Sequence, residues 1–294
     1  TFSLNGANTY SGTTSINAGV LKIGNPTALG TGAVTVASGA ALDLNGTTMT
    51  GTNALTLNGT GISSSGALIN SSTNAGTYAG LVSLGSASSI VGGTGAIALT
   101  HTGTITGATY GLTLGGAQGG SIVSAIGITS GTLTKQDAGT WTLNGVNTYT
   151  GNTTVNNGTL VLGGAGRLGG GTYSAALTVA SGATFTYGSS ANQTFTGANL
   201  AGAGTINLNG SGSVAIAAPG TAHAFTGVLN VSQALNLSST GNNPENGLNK
   251  LQLLHIKNGG TVTLMSGGAG NSSNLLLGYS GLTTPIQIDS GGVL

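Results

Sequence analysis

The side chains able to do chemistry are few. Four carboxylates (Asp43, Asp137, Glu245 and Asp289), four lysines (Lys22, Lys135, Lys250 and Lys257) and Arg167 are the only formal charges in 294 residues. Glycosidic cleavage needs two carboxylates held about 5–9 Å apart, so the four acids would have to be gathered from distant parts of the chain. Asp137, two residues from Lys135, reads as a solvated pair on a turn. His101, His223 and His255 stand alone in sequence, without metal-ligand spacing, and a calcium site wants several oxygen ligands, carboxylates among them. Gly164-Ala-Gly-Arg-Leu-Gly169 matches the spacing of a dinucleotide loop. That loop also requires a following helix and an acid about 20 residues on; the next acid is Glu245, so the segment reads as a glycine-rich connector. Neither a phosphate-binding loop nor a nucleophile elbow is present. Thr-x-Thr recurs most densely over residues 100–106, where a flat hydroxyl array could order water, although threonine is also an ordinary strand former. The sequons at Asn152 and Asn192 follow from composition.

The elements that must position these groups are dictated by an unusual composition. Glycine numbers 57, with 46 Thr, 30 Ser and 27 Asn, together more than half of the chain. Charged residues are 3%, against about 25% in ordinary proteins, and none occurs between Leu44 and Thr134. No basic patch for nucleic acid or an anionic membrane can be assembled from so few cations. Disordered chains combine low hydrophobicity with high net charge; here 38% is apolar and net charge is +1. With no cysteine there is no disulfide framework and no thiol or zinc-ribbon chemistry. No apolar run approaches the length of a membrane-spanning helix, about 18 residues or more. The chain begins without Met and reads as a processed or partial segment of a longer polypeptide.

Self-similarity organises the chain. Thr1–Asn25 aligns without gaps onto Thr140–Gly164, with 13 identities in 25. Further on, Val34-Thr-Val-Ala-Ser-Gly-Ala answers Leu177-Thr-Val-Ala-Ser-Gly-Ala, offset by four inserted residues near Gly169–Gly171. A shorter word, an aromatic two residues before Gly, recurs at Tyr10, Tyr78, Tyr149, Phe195 and Phe225. Its spacing suggests a unit of about 23 residues, within the range of solenoid repeats, with one unit plus an insertion between Phe195 and Phe225. Period-2 runs such as Ala33-Val-Thr-Val, Ala41-Leu-Asp-Leu, Ala54-Leu-Thr-Leu, Gly111-Leu-Thr-Leu, Thr159-Leu-Val-Leu, Thr205-Ile-Asn-Leu and Gly260-Thr-Val-Thr-Leu predict short strands. Asn-Gly, Ser-Gly and Gly-Gly bound them and supply turns. Because the turns recur in register with the long repeat, stacked coils are expected instead of hairpins. The inner face takes Leu, Val and Ile; the outer face takes Thr, Ser and Asn. Leu143, Val155, Leu160 and Leu162 should point inward, as should their equivalents Leu4, Ile16, Leu21 and Ile23.

Leu133-Thr-Lys-Gln-Asp-Ala-Gly-Thr-Trp-Thr-Leu-Asn-Gly-Val-Asn-Thr-Tyr-Thr-Gly resembles the autotransporter-associated β-strand repeat, also called the passenger-associated transport repeat. Asp137 stands where that pattern has Gly. The resemblance covers Leu133–Leu162 and Thr1–Leu21, and implies a right-handed parallel β-helix in a large secreted or surface-displayed bacterial protein. It brings no catalytic residues. The expected fold is therefore all-β, one continuous β-solenoid over 1–294 of roughly 13 coils, with a long repeat over 1–139 and 140–294. The expected function is non-enzymatic: an extracellular stalk, adhesin passenger or filament subunit. Catalytic, cofactor and metal sites are expected to be none, and cofactors none. Lateral or end-to-end self-association is the expected partnership, beside an unidentified surface or glycan ligand, with no nucleic acid. Two alternatives remain. One is a sugar-active or sugar-binding β-helix, such as a polysaccharide lyase, a hydrolase or a phage tail fibre, which would display clustered acids and exposed aromatics in a groove. The other is an ice-binding threonine array.

Overall fold

The structure is a computed structural model that describes residues 1–197, 199–218, 223–239, 248, 251–266 and 285–294. Glu245 and Lys250 lie outside the described residues. The described strands are short, mostly three to five residues, and their pairings are parallel. The period-2 segments form strands where expected: Val34–Val36, Ala40–Asp43, Leu55–Gly59, Leu112–Gly115, Thr159–Leu162, Thr205–Leu208 and Thr261–Ser266. Their neighbours in the sheets come from successive coils, and the chain winds into a β-solenoid of about 11 turns. The expectation of 13 is corrected because corner loops lengthen some coils. Thr184 pairs with Thr205 across a short coil, whereas Leu55 with Val82 and Leu254 with Ile286 close longer ones.

Two compact units are formed, Thr1–Gly151 and Asn152–Leu294. In the first, one ladder runs through Phe2–Leu4, Gly19–Ile23, Ala40–Asp43, Leu68–Asn70, Val82–Gly92, Leu112–Gly115 and Leu133–Lys135. A second runs through Thr14–Ile16, Val34–Val36 and Leu55–Gly59 into the long strand Val82–Gly92. A third contains Gly76–Tyr78, Ile97–Leu99, Gly119–Ile122 and Thr140–Leu143. In the second unit, Thr159–Leu162, Thr184–Tyr187, Thr205–Leu208, Val228–Val231, Leu253–Ile256 and Ile286–Ile288 make one face. Thr172–Tyr173, Gln193–Thr196, Val214–Ala218, Ala234–Ser239 and Thr261–Ser266 make another.

Each ladder stacks like on like because strands about 4.8 Å apart carry side chains out of both faces alternately. The inward column Leu21, Leu42, Leu68, Ile90 and Leu114 is in register from strand to strand. All five are buried. Leu143, Val155, Leu160, Leu162, Ile16, Leu21 and Ile23 are buried as expected. Leu4 is half-buried, in a strand that pairs on one side only, with Gly19–Ile23. The same position in the ladder separates the repeat's aromatics: Phe2 is 67% exposed, whereas its equivalent Trp141 is 0% exposed beside Gly120. The indole Nε1 donates to the Gly115 carbonyl at 2.9 Å.

The aromatic–small–Gly word does not mark one phase of the coil. Phe195 pairs in register with Ile216 and Tyr173, whereas Phe225 pairs with Gly202 in a different sheet. Their separation is therefore not a coil plus an insertion; the word is a turn chemistry used at more than one corner. The four inserted residues of the second repeat do appear where expected. They fall in the connection after Thr159–Leu162, which carries a single 3-10 turn at Gly169–Gly171. At Asn45-Gly46 both residues are left-handed (φ 49° and 72°), a corner conformation that Asn and Gly reach most cheaply.

Candidate functional site

Asp43 and Asp137 are placed apart and put to structural use. Asp43 is buried: Oδ1 accepts from the Asn45 and Ser71 amides at 2.9 and 3.0 Å, and Oδ2 from the Ser71 hydroxyl at 2.6 Å. Asp137 accepts from the Gly116 amide at 2.8 Å. Four strand steps separate the strand that ends at Asp43 from the one beside Asp137, or about 19 Å at about 4.8 Å per step. That is about twice the widest separation used in glycosidic cleavage. Asp289 is an exposed carboxylate hydrogen-bonded to His255 Nε2 at 3.0 Å. That bond, more than anything else nearby, holds it below its ordinary pKa. Among the described residues, no three His, Cys, Asp or Glu side chains gather as a metal would require.

The other candidates are held by the same coil-to-coil bonding. In the Gly164–Gly169 segment, the Gly166 amide closes a turn on Gly163 at 2.7 Å, and the Leu168 amide donates to Gln193 Oε1 at 2.9 Å. The segment runs into a 3-10 turn and a strand, not a helix, which makes it a connector. Asn152 and Asn192, the sequon residues, accept from the Ala176 and Ser213 amides of the following coil. Thr104 and Thr106 pair in register with Ala125 and Gly127, so neither hydroxyl column continues on that side; on the other, Thr106 pairs with Ser83 and extends a single column through Thr56, Thr35 and Ser15. His101 Nδ1 accepts from the Gly103 amide in its own turn. His223 is fully buried, with Nδ1 accepting from the Leu200 amide at 3.2 Å, and burial pulls its pKa down to about 4.

Lys135 is a correction. It is 0% exposed, not half of a solvated pair. It stands in register with Leu114, as the next member of the inward leucine column. Its Nζ turns back to the carbonyls of Gln136 and Asp137 at 2.8 and 2.7 Å. Burial lowers the amine's pKa to about 8, against the opposing pull of Asp137. Alternation in Leu133-Thr-Lys135 placed the lysine on the leucine face, so the signal was present in the sequence.

Buried amides are the feature that sequence reasoning missed. Asn53 Nδ2 lies 2.7 Å from the Gly32 carbonyl and 3.2 Å from that of Gly30. The Asn53 carbonyl in turn accepts from the Tyr78 hydroxyl at 2.7 Å. Asn70 accepts from the Gly46 amide and donates to the Ala96 carbonyl. Asn199 donates to the carbonyls of Tyr173 and Ala175. On an outward face Asn230 donates to Asn207 at 2.8 Å, a two-rung amide ladder. Nothing in the spacing of 27 asparagines distinguishes those that turn inward at a corner.

An open groove of about 480 Å³ lies within the first unit. Its floor includes Ile69 and Val91, neighbours in a column that runs Lys22, Asp43, Ile69, Val91 and Gly115. Gly115 carries no side chain to continue the column, and it is buried where the Asp137 carboxylate and the Gln136 side chain close over it. The groove holds one carboxylate, no aromatic ring and no histidine. It has no nucleophile–base pair; what it can do is hold a ligand by van der Waals contact and hydrogen bonds.

The family model of the passenger-associated-transport-repeat matches residues 1–23 and 133–162. No curated protein and no solved structure gives a significant match. The matched segments hold equivalent strands: Phe2–Leu4, Thr14–Ile16 and Gly19–Ile23 in the first, Thr140–Leu143, Thr153–Val155 and Thr159–Leu162 in the second. Two such segments in a chain of parallel strands wound as a β-solenoid fit an autotransporter-associated β-helix repeat protein.

Proposed function

We propose that the chain serves as a non-enzymatic, surface-displayed or secreted β-solenoid, the material of a stalk, adhesin passenger or filament. The repeat family and the fold support a passenger-like β-helix. The observation that carries the structural role is the placement of polar groups. Asp43, Asn53, Asn70, Asn152, Asn192, Gln193 and Asn199 all bond residues 21 to 28 positions away, one coil distant. Side chains that an enzyme would aim at a substrate here join one coil to the next.

Self-association follows from surface chemistry. Net charge of +1 gives little mutual repulsion between copies. Light scattering and electron microscopy of the purified chain at low and high ionic strength test this. Lateral or end-to-end fibres, little changed by salt, are expected. Monodisperse particles under both conditions would remove the filament and leave the stalk. Release of reducing ends from any common polysaccharide would overturn the non-enzymatic role.

A further inference from the structure

We propose that the groove of the first unit binds a neutral, hydroxyl-rich linear oligosaccharide, with Asp137 as the hydrogen-bond acceptor at its mouth. The proposal rests on the reading of the chain as a displayed surface protein for its setting alone; the site itself is argued from geometry. At about 480 Å³ the groove has the size of a small-ligand cleft. It reaches from the strand Leu68–Asn70 to the turn after Leu133–Lys135, three strand steps, or about 14 Å.

Strained backbone is concentrated at its two ends. Of the six described non-glycine residues with positive φ, Ser63, Ser64 and Asp137 (49°, 63° and 63°) adjoin or line this one groove. Such conformations are costly for residues with a side chain and collect at ligand clamps. At position 137 the repeat pattern has Gly, which would adopt this φ freely; the chain holds a carboxylate there instead. Asp137 Oδ2 is fixed by the Gly116 amide. The residue is exposed and lines the groove.

The surroundings select the ligand. An anion finds no cation, because Lys135 points inward and bonds backbone carbonyls. An added peptide strand finds no edge, since the floor strand Leu68–Asn70 is already paired with Ala40–Asp43 and Val82–Gly92. A lipid chain would desolvate a rim of Ser65, Ser71, Thr94 and Gln136. A neutral sugar satisfies both surfaces: its C–H face lies on Ile69 and Val91, and its hydroxyls reach the rim and the carboxylate. Hydrogen bonds to an ionised group are roughly twice as strong as neutral ones. The clustered acids and exposed aromatics of a high-affinity sugar groove are absent from the lining, so the single-site affinity is of millimolar order, and repeated display of the chain raises it by avidity.

The test is saturation-transfer NMR on the full chain with cellotriose, laminaritriose, mannotriose and trigalacturonate. Transfer to at least one neutral trisaccharide and none to trigalacturonate is expected. Asp137→Gly, which restores the residue of the repeat pattern and relieves the strain, should fold normally by circular dichroism and reduce transfer at least fivefold. Val91→Thr should reduce it as well. No transfer to any neutral trisaccharide, equal transfer to trigalacturonate, or transfer unchanged in both variants would overturn the proposal. Fibre formation is measured separately, so a failure of this site and a failure of the structural role are distinguishable.

Discussion

Lys135 and His223 are ionisable groups set among apolar side chains, and each ties stability to pH. Burial holds His223 at about 4, below its ordinary 6.5. Between those values the unfolded chain binds a proton that the folded chain refuses, so stability is full above pH 6.5 and declines as pH falls toward 4. Lys135 is lowered from 10.5 to about 8. Between pH 8 and 10.5 the folded chain has released a proton that the unfolded chain keeps, so stability rises with pH. Tyr173 opposes this at the alkaline end. Its pKa is pushed up to about 12 by burial, so above pH 10 only the unfolded chain ionises and stability falls. Urea midpoints against pH should therefore climb from pH 4 to 6.5 and climb again above 8 before turning down. His223→Asn, which retains an acceptor for the Leu200 amide, should flatten the acid limb; an unchanged limb would place its cause elsewhere. A second expectation concerns Trp141 and Phe2, equivalent in the repeat and opposite in burial. Trp141→Ala should cost about 3–5 kcal/mol as a buried aromatic truncation. Phe2→Ala should stay within about 0.5 kcal/mol, as expected of a surface change. Equal losses in denaturant titrations would contradict the packing described.

Strand and turn together set the coil, and the turn tolerates less change. Gly116 has φ 99°, and a Cβ there would lie 1.9 Å from the Gly92 carbonyl oxygen. Two backbones approach at this corner where no side chain fits. A Cβ at Gly12 would meet nothing within 4 Å, and that residue has no positive φ. Gly116→Ala should therefore destabilise by about 3 kcal/mol or more, combining backbone strain and overpacking. Gly12→Ala should be neutral or stabilise by up to about 1 kcal/mol through the unfolded chain. Thermal melts of the two variants decide the point, and similar melting temperatures would mean that corner glycines are interchangeable. The strands themselves were legible. Period-2 runs of Leu, Val, Ile and Thr located most strands closely, because alternation alone decides which face is buried. The phase of each corner was not legible: Phe195 and Phe225 carry the same local word in different sheets.

Across the molecule, cohesion comes from backbone ladders, apolar columns and amides, with little from charge. The hydrogen-bonded pair His255–Asp289 joins partly exposed groups, where screening is effective. Raising the sodium chloride concentration from low to well above physiological should leave the melting temperature within about 2 °C, since so little of the cohesion is screened. A fall of many degrees would mean that ion pairs carry much more of the fold than nine charged side chains suggest. The groove depends on this same economy: in a chain almost without charge, one exposed carboxylate at a strained turn is a distinctive feature.

Composition, alternation and the internal repeat by themselves determined the all-β class, the stacking of parallel coils, the identity of most inward side chains and the repeat family. They could do so because in a solenoid each coil meets the next, so local pattern and packing coincide. Only the tertiary structure decided which side chains break the pattern. Lys135 turns inward because register sets it on the leucine column, and Asn53 and Asn70 clamp carbonyls one coil away because the chain bends there. The groove exists because Ile69 and Val91 stand side by side in one column, with the turn at Gln136 and Asp137 closing over Gly115 beyond them. Positions 69, 91 and 115 become neighbours through coil lengths that vary with every corner loop, and no spacing in the sequence records that variation.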